Sequence, residues 1–252
     1  MADSFTGRGL NTLHLEETSY RGIIPGVRYP VLRRLSVLSP LNNDLRTLFQ
    51  SPTDYPFLWE LVLAHYYEDH PLYTQLALPL LPTQITSLAL LIAPPDDGRE
   101  LDTGASQTNL LSLFTSLEHL VLGGNGSITS SHFRDCIDHL TTSSLHSLVL
   151  EADFAQDSDV LHSIRTSPAL ESLCRVRISY PLTTEVDPRD ARTRSSIEDE
   201  CAKRGIVLEL RCLSSEDLEE RTRWDWYTQE FGGPVSSECA HASDLRLVPE
   251  SI

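Results

Sequence analysis

The chain has 252 residues, 40% hydrophobic and 22% charged, which is enough apolar content for a core and too much for chain-wide disorder. Its formal net charge of -16 argues against a nucleic-acid partner, because binding a phosphate backbone depends on clustered Lys and Arg that release counterions. No stretch approaches the roughly 18 apolar residues of a membrane span, and no apolar run follows a basic region after Met1, so a cytoplasmic or nuclear monomer is expected.

From the first residues onward a phrase, Leu-x-x-Leu-x-Leu, organises the chain. It reads Leu10/Leu13/Leu15, Leu32/Leu35/Val37, Leu58/Leu61/Leu63, Ile85/Leu88/Leu90, Leu117/Leu120/Leu122 and Leu145/Leu148/Leu150, with a distorted seventh copy at Leu170/Leu173/Val176/Ile178. The starting positions 10, 32, 58, 85, 117, 145 and 170 lie 22, 26, 27, 32, 28 and 25 residues apart. Most of these steps fall in or near the roughly 20–29 residue period of leucine-rich repeats. The last two apolar positions of each phrase alternate as in a β-strand, so both face one side and the residue between them faces the other. A single such strand cannot bury its apolar side, whereas a stack of parallel strands can.

Between the strands, most return segments read as short helices. Asn42 to Phe49 places Leu45, Leu48 and Phe49 at helical spacing, and Pro52 stops it. In Ser130 to Leu140, Phe133, Cys136, Ile137 and Leu140 recur at i, i+3, i+4 and i+7. Asp157 to Arg165 repeats the scheme with Val160, Leu161 and Ile164, and Ala191 to Arg204 ends at Gly205 before a strand through Ile206, Leu208 and Leu210. Glu16 to Tyr29 is rich in Gly and Pro and need not be helical, and Ala93 to Ser106 is a loop insertion that lengthens the fourth step. The expected fold is therefore α/β: a leucine-rich-repeat solenoid, with a curved parallel sheet and with short helices and loops on its convex side, over residues 1–212.

Residues 213–252 lose the phrase and turn acidic, while carrying Trp224, Trp226, Tyr227 and Phe231. Such a cluster is expected to dock, either as a cap on the last repeat or over the concave face, or else to engage another protein.

The run Leu117-Glu-His-Leu-Val-Leu, followed by Leu145-His-Ser-Leu-Val-Leu and Ser167-Pro-Ala-Leu-Glu-Ser-Leu, together with helical returns of uneven length, resembles the leucine-rich-repeat region of F-box proteins, especially divergent fungal ones. The resemblance spans roughly residues 10 to 212. It implies a repeat surface that holds a substrate or adaptor for a ubiquitin ligase. The F-box of that family is a separate helical module near the N-terminus. About nine residues precede the first phrase here, so no F-box is expected and recruitment of a ligase is in doubt.

No catalytic constellation stands out. Cys136 and His139 are three apart, but Cys136 falls on the apolar stripe of its helix and reads as a core thiol beside a surface His. The five cysteines are scattered, with no Cys-x-x-Cys pair, so neither a disulfide framework nor a zinc site is expected. Gly123, Gly124 and Gly126 lack the Lys-Ser/Thr of a phosphate loop, and Asn125 fits the turn leaving the fifth strand. No cofactor or metal is expected. A regulator of GTPase-activating type would need a rim Arg or Asn, for which Arg175, Arg177 and Asn125 are the candidates.

The residue-level expectation is a concave face whose central row runs through His14, Ser36, Val62, Ala89, Val121 and Val149 to Arg177, with His119, Arg175 and Leu91 beside it. Its centre is an apolar strip of the kind that marks a protein-binding site, and Arg175 and Arg177 form a basic clamp at one end. Cover by the chain's own tail, or plain strand propensity, would each account for the same strip.

Overall fold

The computed structural model describes residues 12–15, 29–38, 54–66, 81–92, 111–112, 114–124, 130–141, 144–151, 158–181 and 188–213. Eight strands form one sheet in strict chain order: β1 Thr12–Leu15, β2 Arg34–Leu38, β3 Glu60–Tyr66, β4 Ser87–Ile92, β5 His119–Gly124, β6 Ser147–Glu151, β7 Arg175–Pro181 and β8 Val207–Leu213. Every neighbouring pair is parallel, so the molecule is α/β in class.

The pairing sets the leucine phrases side by side. Leu35, Leu61, Leu88, Leu120, Leu148 and Val176 occupy one row of Cα partners, and Val37, Leu63, Leu90, Leu122, Leu150 and Ile178 the next equivalent row. One backbone device recurs at the entries of β3 to β7. The Arg33 carbonyl accepts the N–H groups of both Trp59 and Glu60, the Trp59 carbonyl those of Thr86 and Ser87, and the Thr86 carbonyl those of Glu118 and His119. The Glu118 carbonyl does the same for His146 and Ser147, and the His146 carbonyl for Cys174 and Arg175. A carbonyl has two lone pairs, so this sharing holds each new strand in the register of the last.

The register also reassigns the seventh phrase. Val176 pairs with Leu148 and Ile178 with Leu150, so the copy is Leu173/Val176/Ile178, as regular as the others. Leu170 belongs instead to a preceding 3-10 turn, Pro168–Leu170, from which it reaches the core. Two leucines three residues apart ahead of the strand made the phrase look distorted.

Four α-helices lie among the described residues: α1 Leu81–Gln84, α2 Ser130–Asp138, α3 Ser158–Thr166 and α4 Pro188–Arg204. The last three match the expected returns, except that α4 starts three residues early. Pro188 is tolerated there because the first helical turn has no use for its missing N–H. Gly205 ends α4 with φ of 70°, a left-handed value that a side chain would strain. The expected helix at 42–49, the insertion at 93–106 and the segment after residue 213 lie outside the described residues.

The helices place their apolar stripes on the leucine rows. Phe133, Cys136 and Ile137 of α2, Val160 and Ile164 of α3, and Ile197 and Cys201 of α4 share one buried cluster with Leu61, Leu88, Leu120, Leu148 and Val176. Polar contacts join neighbouring helices around that core. Arg134 of α2 reaches Asp159 of α3 at 3.6 Å, and Arg165 of α3 meets Glu200 of α4 at 3.1 Å. Arg204 donates to the carbonyls of Ile164 and Leu170, satisfying the open end of α3 and the turn after it.

Leu148, fully buried in the central rows, sets the scale of this packing. Leu148→Ala is expected to cost about 2–5 kcal/mol, against about 0.5 kcal/mol or less for Val207→Ala at a half-exposed edge position, measured by urea unfolding.

Candidate functional site

Alternation along each strand carries a second set of rows on the sheet face away from the core. The central row runs His14, Ser36, Val62, Ala89, Val121, Val149, Arg177 and Glu209, each residue in register with the next. Beside it runs Thr12, Arg34, Glu60, Ser87, His119, Ser147, Arg175 and Val207. All the residues expected on one face are thus brought together on it. Leu91 also lies on this face, in register with Ala64 and Gly123. The side chains of His14, Ser36 and Leu91 lie outside the described residues.

The apolar strip, read from the sequence as a partner's contact floor or as ground covered by the chain's own tail, is buried. Val62, Ala89 and Val121 are 1%, 0% and 2% exposed, and Val149 is 8%. None of the four belongs to the main core cluster, and the described helices put their apolar stripes on the opposite side of the sheet. Small in-register side chains shield one another along a row, but they leave the direction normal to the sheet open. The polar row is closed in the same stretch. Glu60 is 2% exposed, and the buried hydroxyl of Ser87 has no hydrogen-bond partner among the described residues.

An ion pair stands toward each end of the closed stretch. At the β2–β3 end, Arg34 Nε lies 2.7 Å from a Glu60 carboxylate oxygen, and its guanidinium carbon is 5.6 Å from the centre of the Trp59 ring. Burial pushes the Glu60 carboxyl up to about 7, against the opposing charge and hydrogen bond of Arg34. At the β7–β8 end, Arg175 and Arg177 were expected to wait as a clamp for a partner's acid. Both instead grip Glu209: Arg175 Nε donates to one carboxylate oxygen at 3.0 Å and Arg177 Nε to the other at 2.7 Å. Burial alone would raise the Glu209 carboxyl, but the hydrogen bonds and charges of Arg177 and Arg175 outweigh it and hold it below its ordinary value. Two guanidinium groups thus meet on one carboxylate.

Between the two ends, His119 is half-buried, and desolvation, which favours the neutral imidazole, lowers its pKa against the opposing charge of Glu118. Sequence reasoning missed the pairing of Arg34 with Glu60 and of Arg177 with Glu209. The signal was present, because aligning the phrases puts Arg34 opposite Glu60 and Arg177 opposite Glu209.

Away from this face, Cys136 and Cys201 are buried and Cys174 is half-buried, all as free thiols, and His139 is exposed at the end of α2. Burial raises the Cys201 thiol to about 11, as befits a packing residue rather than a nucleophile. No group of three or more metal-ligating side chains gathers among the described residues, and none of their helices is long and apolar enough to cross a membrane. Asn125 lies outside the described residues. No protein-family model matches the chain, and no curated protein matches it.

The raised Glu60 carboxyl gives a pH test. Between its unfolded value of about 4.3 and its folded value of about 7, the folded state holds a proton that the unfolded chain has released. Its contribution to stability is therefore full below the unfolded value and falls as pH rises toward 7. Glu60→Gln cannot titrate, so its stability relative to the native chain is expected to improve by about 1–3 kcal/mol from about pH 5 to about pH 8. Urea midpoints of the two chains across that range check this, and taking the difference cancels the titration of His119.

Proposed function

We propose that the chain is a leucine-rich-repeat solenoid that works without catalysis as a protein-interaction scaffold, of the kind whose repeat region holds substrates in F-box ubiquitin-ligase receptors. The observation that supports the architecture best is the strand-entry unit, in which one carbonyl takes two N–H groups of the next strand at five successive junctions. A device repeated at the same point of a recurring phrase is what stacked units of one supersecondary structure produce.

Fold alone does not carry function, so the functional half of the reading rests on the face opposite the core. It combines an apolar centre of Val62, Ala89, Val121 and Val149 with charged groups toward both ends. An apolar centre with a polar rim is the anatomy of a protein-binding surface. Exposed Arg175 at one end of this face favours an acidic group on the partner, in a chain whose overall charge of -16 repels acidic proteins elsewhere. The reading needs no cofactor, metal or nucleic acid. Its setting is the cytoplasm or nucleus, where the free thiols Cys136, Cys174 and Cys201 would stay reduced.

Affinity capture from the source cell tests this with the intact chain beside a variant carrying His119→Glu and Arg175→Glu, two outward-row positions that the core does not use. After circular dichroism has shown both to be folded, proteins held by the intact chain are expected to be lost from the variant. Ligase subunits among them would favour the substrate-receptor lineage. Identical protein sets on the two baits would contradict the assignment of this face.

A further inference from the structure

The last strand closes the array differently from the strands before it. The second-position residues of the phrase, from Leu35 in β2 to Val176 in β7, are at most 1% exposed, and so are the third-position residues from Leu63 to Ile178. Their counterparts in β8, Leu208 and Leu210, are only half-buried, and Val207 is 46% exposed. Among the described residues β8 has one strand neighbour, β7. We propose that the other edge of β8 is a self-association surface, on which β8 of a second copy pairs antiparallel about a two-fold axis at Leu210. This stands independently of the reading of the outward face as a binding surface.

The ladder shows which backbone groups the edge offers. Val207 donates its N–H to the carbonyl of Cys174, just ahead of β7, at 2.8 Å. A residue of a parallel strand turns both its backbone groups toward one neighbour, and successive residues alternate, so Val207, Glu209 and Arg211 serve β7. Leu208, Leu210 and Cys212 turn theirs the other way. Such a row is a template for a further strand, which proteins blunt with short edge strands, Pro, Lys or bulges. The opposite edge, β1, is only four residues long. By contrast, β8 runs for seven, Val-Leu-Glu-Leu-Arg-Cys-Leu, in unbroken register with β7 and with none of these devices.

The sequence of β8 selects both the occupant and its register. Antiparallel pairing sets residues with outward-turned groups directly opposite one another, so positions 208, 210 and 212 must match among themselves. Centring the axis on 209 would set Glu209 against Glu209 of the copy, and centring it on 211 would set Arg211 against Arg211. Like charges directly opposite are destabilising. Centring it on Leu210 sets Glu209 opposite Arg211 twice, Leu208 opposite Cys212 and Val207 opposite Leu213. Acid then meets base, and apolar meets apolar, at every level of the strand.

The cores join in the same step. Directly opposite residues of a strand pair share a face, so half-buried Leu208 and Leu210 gain apolar neighbours from the copy. The Glu209 carboxylate takes Arg175 and Arg177 of its own chain through three hydrogen bonds. Its oxygens offer about four acceptor sites, which leaves about one for the copy. Self-association departs from the monomer expected of so acidic a chain. The repulsion between two chains of net charge -16 is screened beyond about 8 Å at physiological ionic strength, whereas the edge contacts are direct.

Sedimentation equilibrium of the full chain at about 0.15 M salt, up to about 100 μM protein, tests the proposal. The mass is expected to rise with concentration from 28.2 kDa toward twice that value and no further. Arg211→Glu sets carboxylate against carboxylate twice, and is expected to weaken the dimer about tenfold or more. Arg33→Glu, the same charge change at an exposed site ahead of β2, is expected to leave it unchanged. Val207→Cys with Leu213→Cys reads the register separately, because directly opposite residues lie within reach of a disulfide. Mild oxidation is expected to give a two-chain product joined from position 207 to position 213, located by mass spectrometry. A monomer throughout, species that keep growing past two chains, a dimer indifferent to Arg211→Glu, or links only through other cysteines would overturn the proposal.

Discussion

Register is the constraint on which the sheet, the core and the opposite face all depend. Strands β3 to β7 each enter the sheet by giving two adjacent N–H groups to one carbonyl just ahead of the strand before, so the leucine phrase falls on the same level in each of them. A slip of one residue would turn the leucine rows to the opposite face and bring Val62, Ala89 and Val121 to the core side. The leucine rows hold the register in turn, because Leu35, Leu61, Leu88, Leu120 and Leu148 are at most 1% exposed and burying each side chain contributes about 1.5–3 kcal/mol. Backbone sharing and apolar burial are thus two sides of one constraint. It acts between neighbours, as in an array whose stability is a sum of units and interfaces.

The same constraint builds the other face without choosing its chemistry. Whatever lies between the two inward leucines is stacked into a row, and in this chain the row is apolar in the middle and charged at the β7–β8 end, while the row beside it carries the charges at the β2–β3 end. The charges are placed so that they satisfy one another across strands. Arg34 pairs with in-register Glu60 and rests over Trp59, while Glu209 is shared by Arg175 and Arg177. These contacts add cross-strand attraction at partly buried sites, where charge-assisted hydrogen bonds are stronger than at an exposed surface. They also explain why the arginines do not stand open as a clamp: the last strand brings its own carboxylate to them.

Much of the sheet was legible in the sequence, because a phrase with period-two alternation at near-constant spacing leaves few alternatives. Five of the strands follow directly from Leu35, Leu61, Leu88, Leu120 and Leu148 in the second position of the phrase, and helices α2 and α3 from their i, i+3, i+4 stripes. The seventh copy was misread at Leu170 because a 3-10 turn ahead of the strand carries a leucine of its own, and local spacing does not tell a turn leucine from a strand leucine. On the candidate face, membership was legible and exposure was not. Alternation says which way Val62 and Ala89 point, but their burial depends on contacts distant in sequence, which no local pattern records. The ion pairs lay between these cases, readable from the aligned register though not from either strand alone.

The central claim is that a single register turns the leucine rows to the core and the rows between them to the opposite face. The most direct test is the rate of thiol labelling in the full chain, located by mass spectrometry, at Val176→Cys in a leucine row and at its exposed neighbour Arg175→Cys in an outward row. Labelling should be slow at Val176→Cys and fast at Arg175→Cys, with the circular dichroism of the sheet unchanged. Fast labelling at Val176→Cys in a folded chain, or slow labelling at Arg175→Cys, would contradict it.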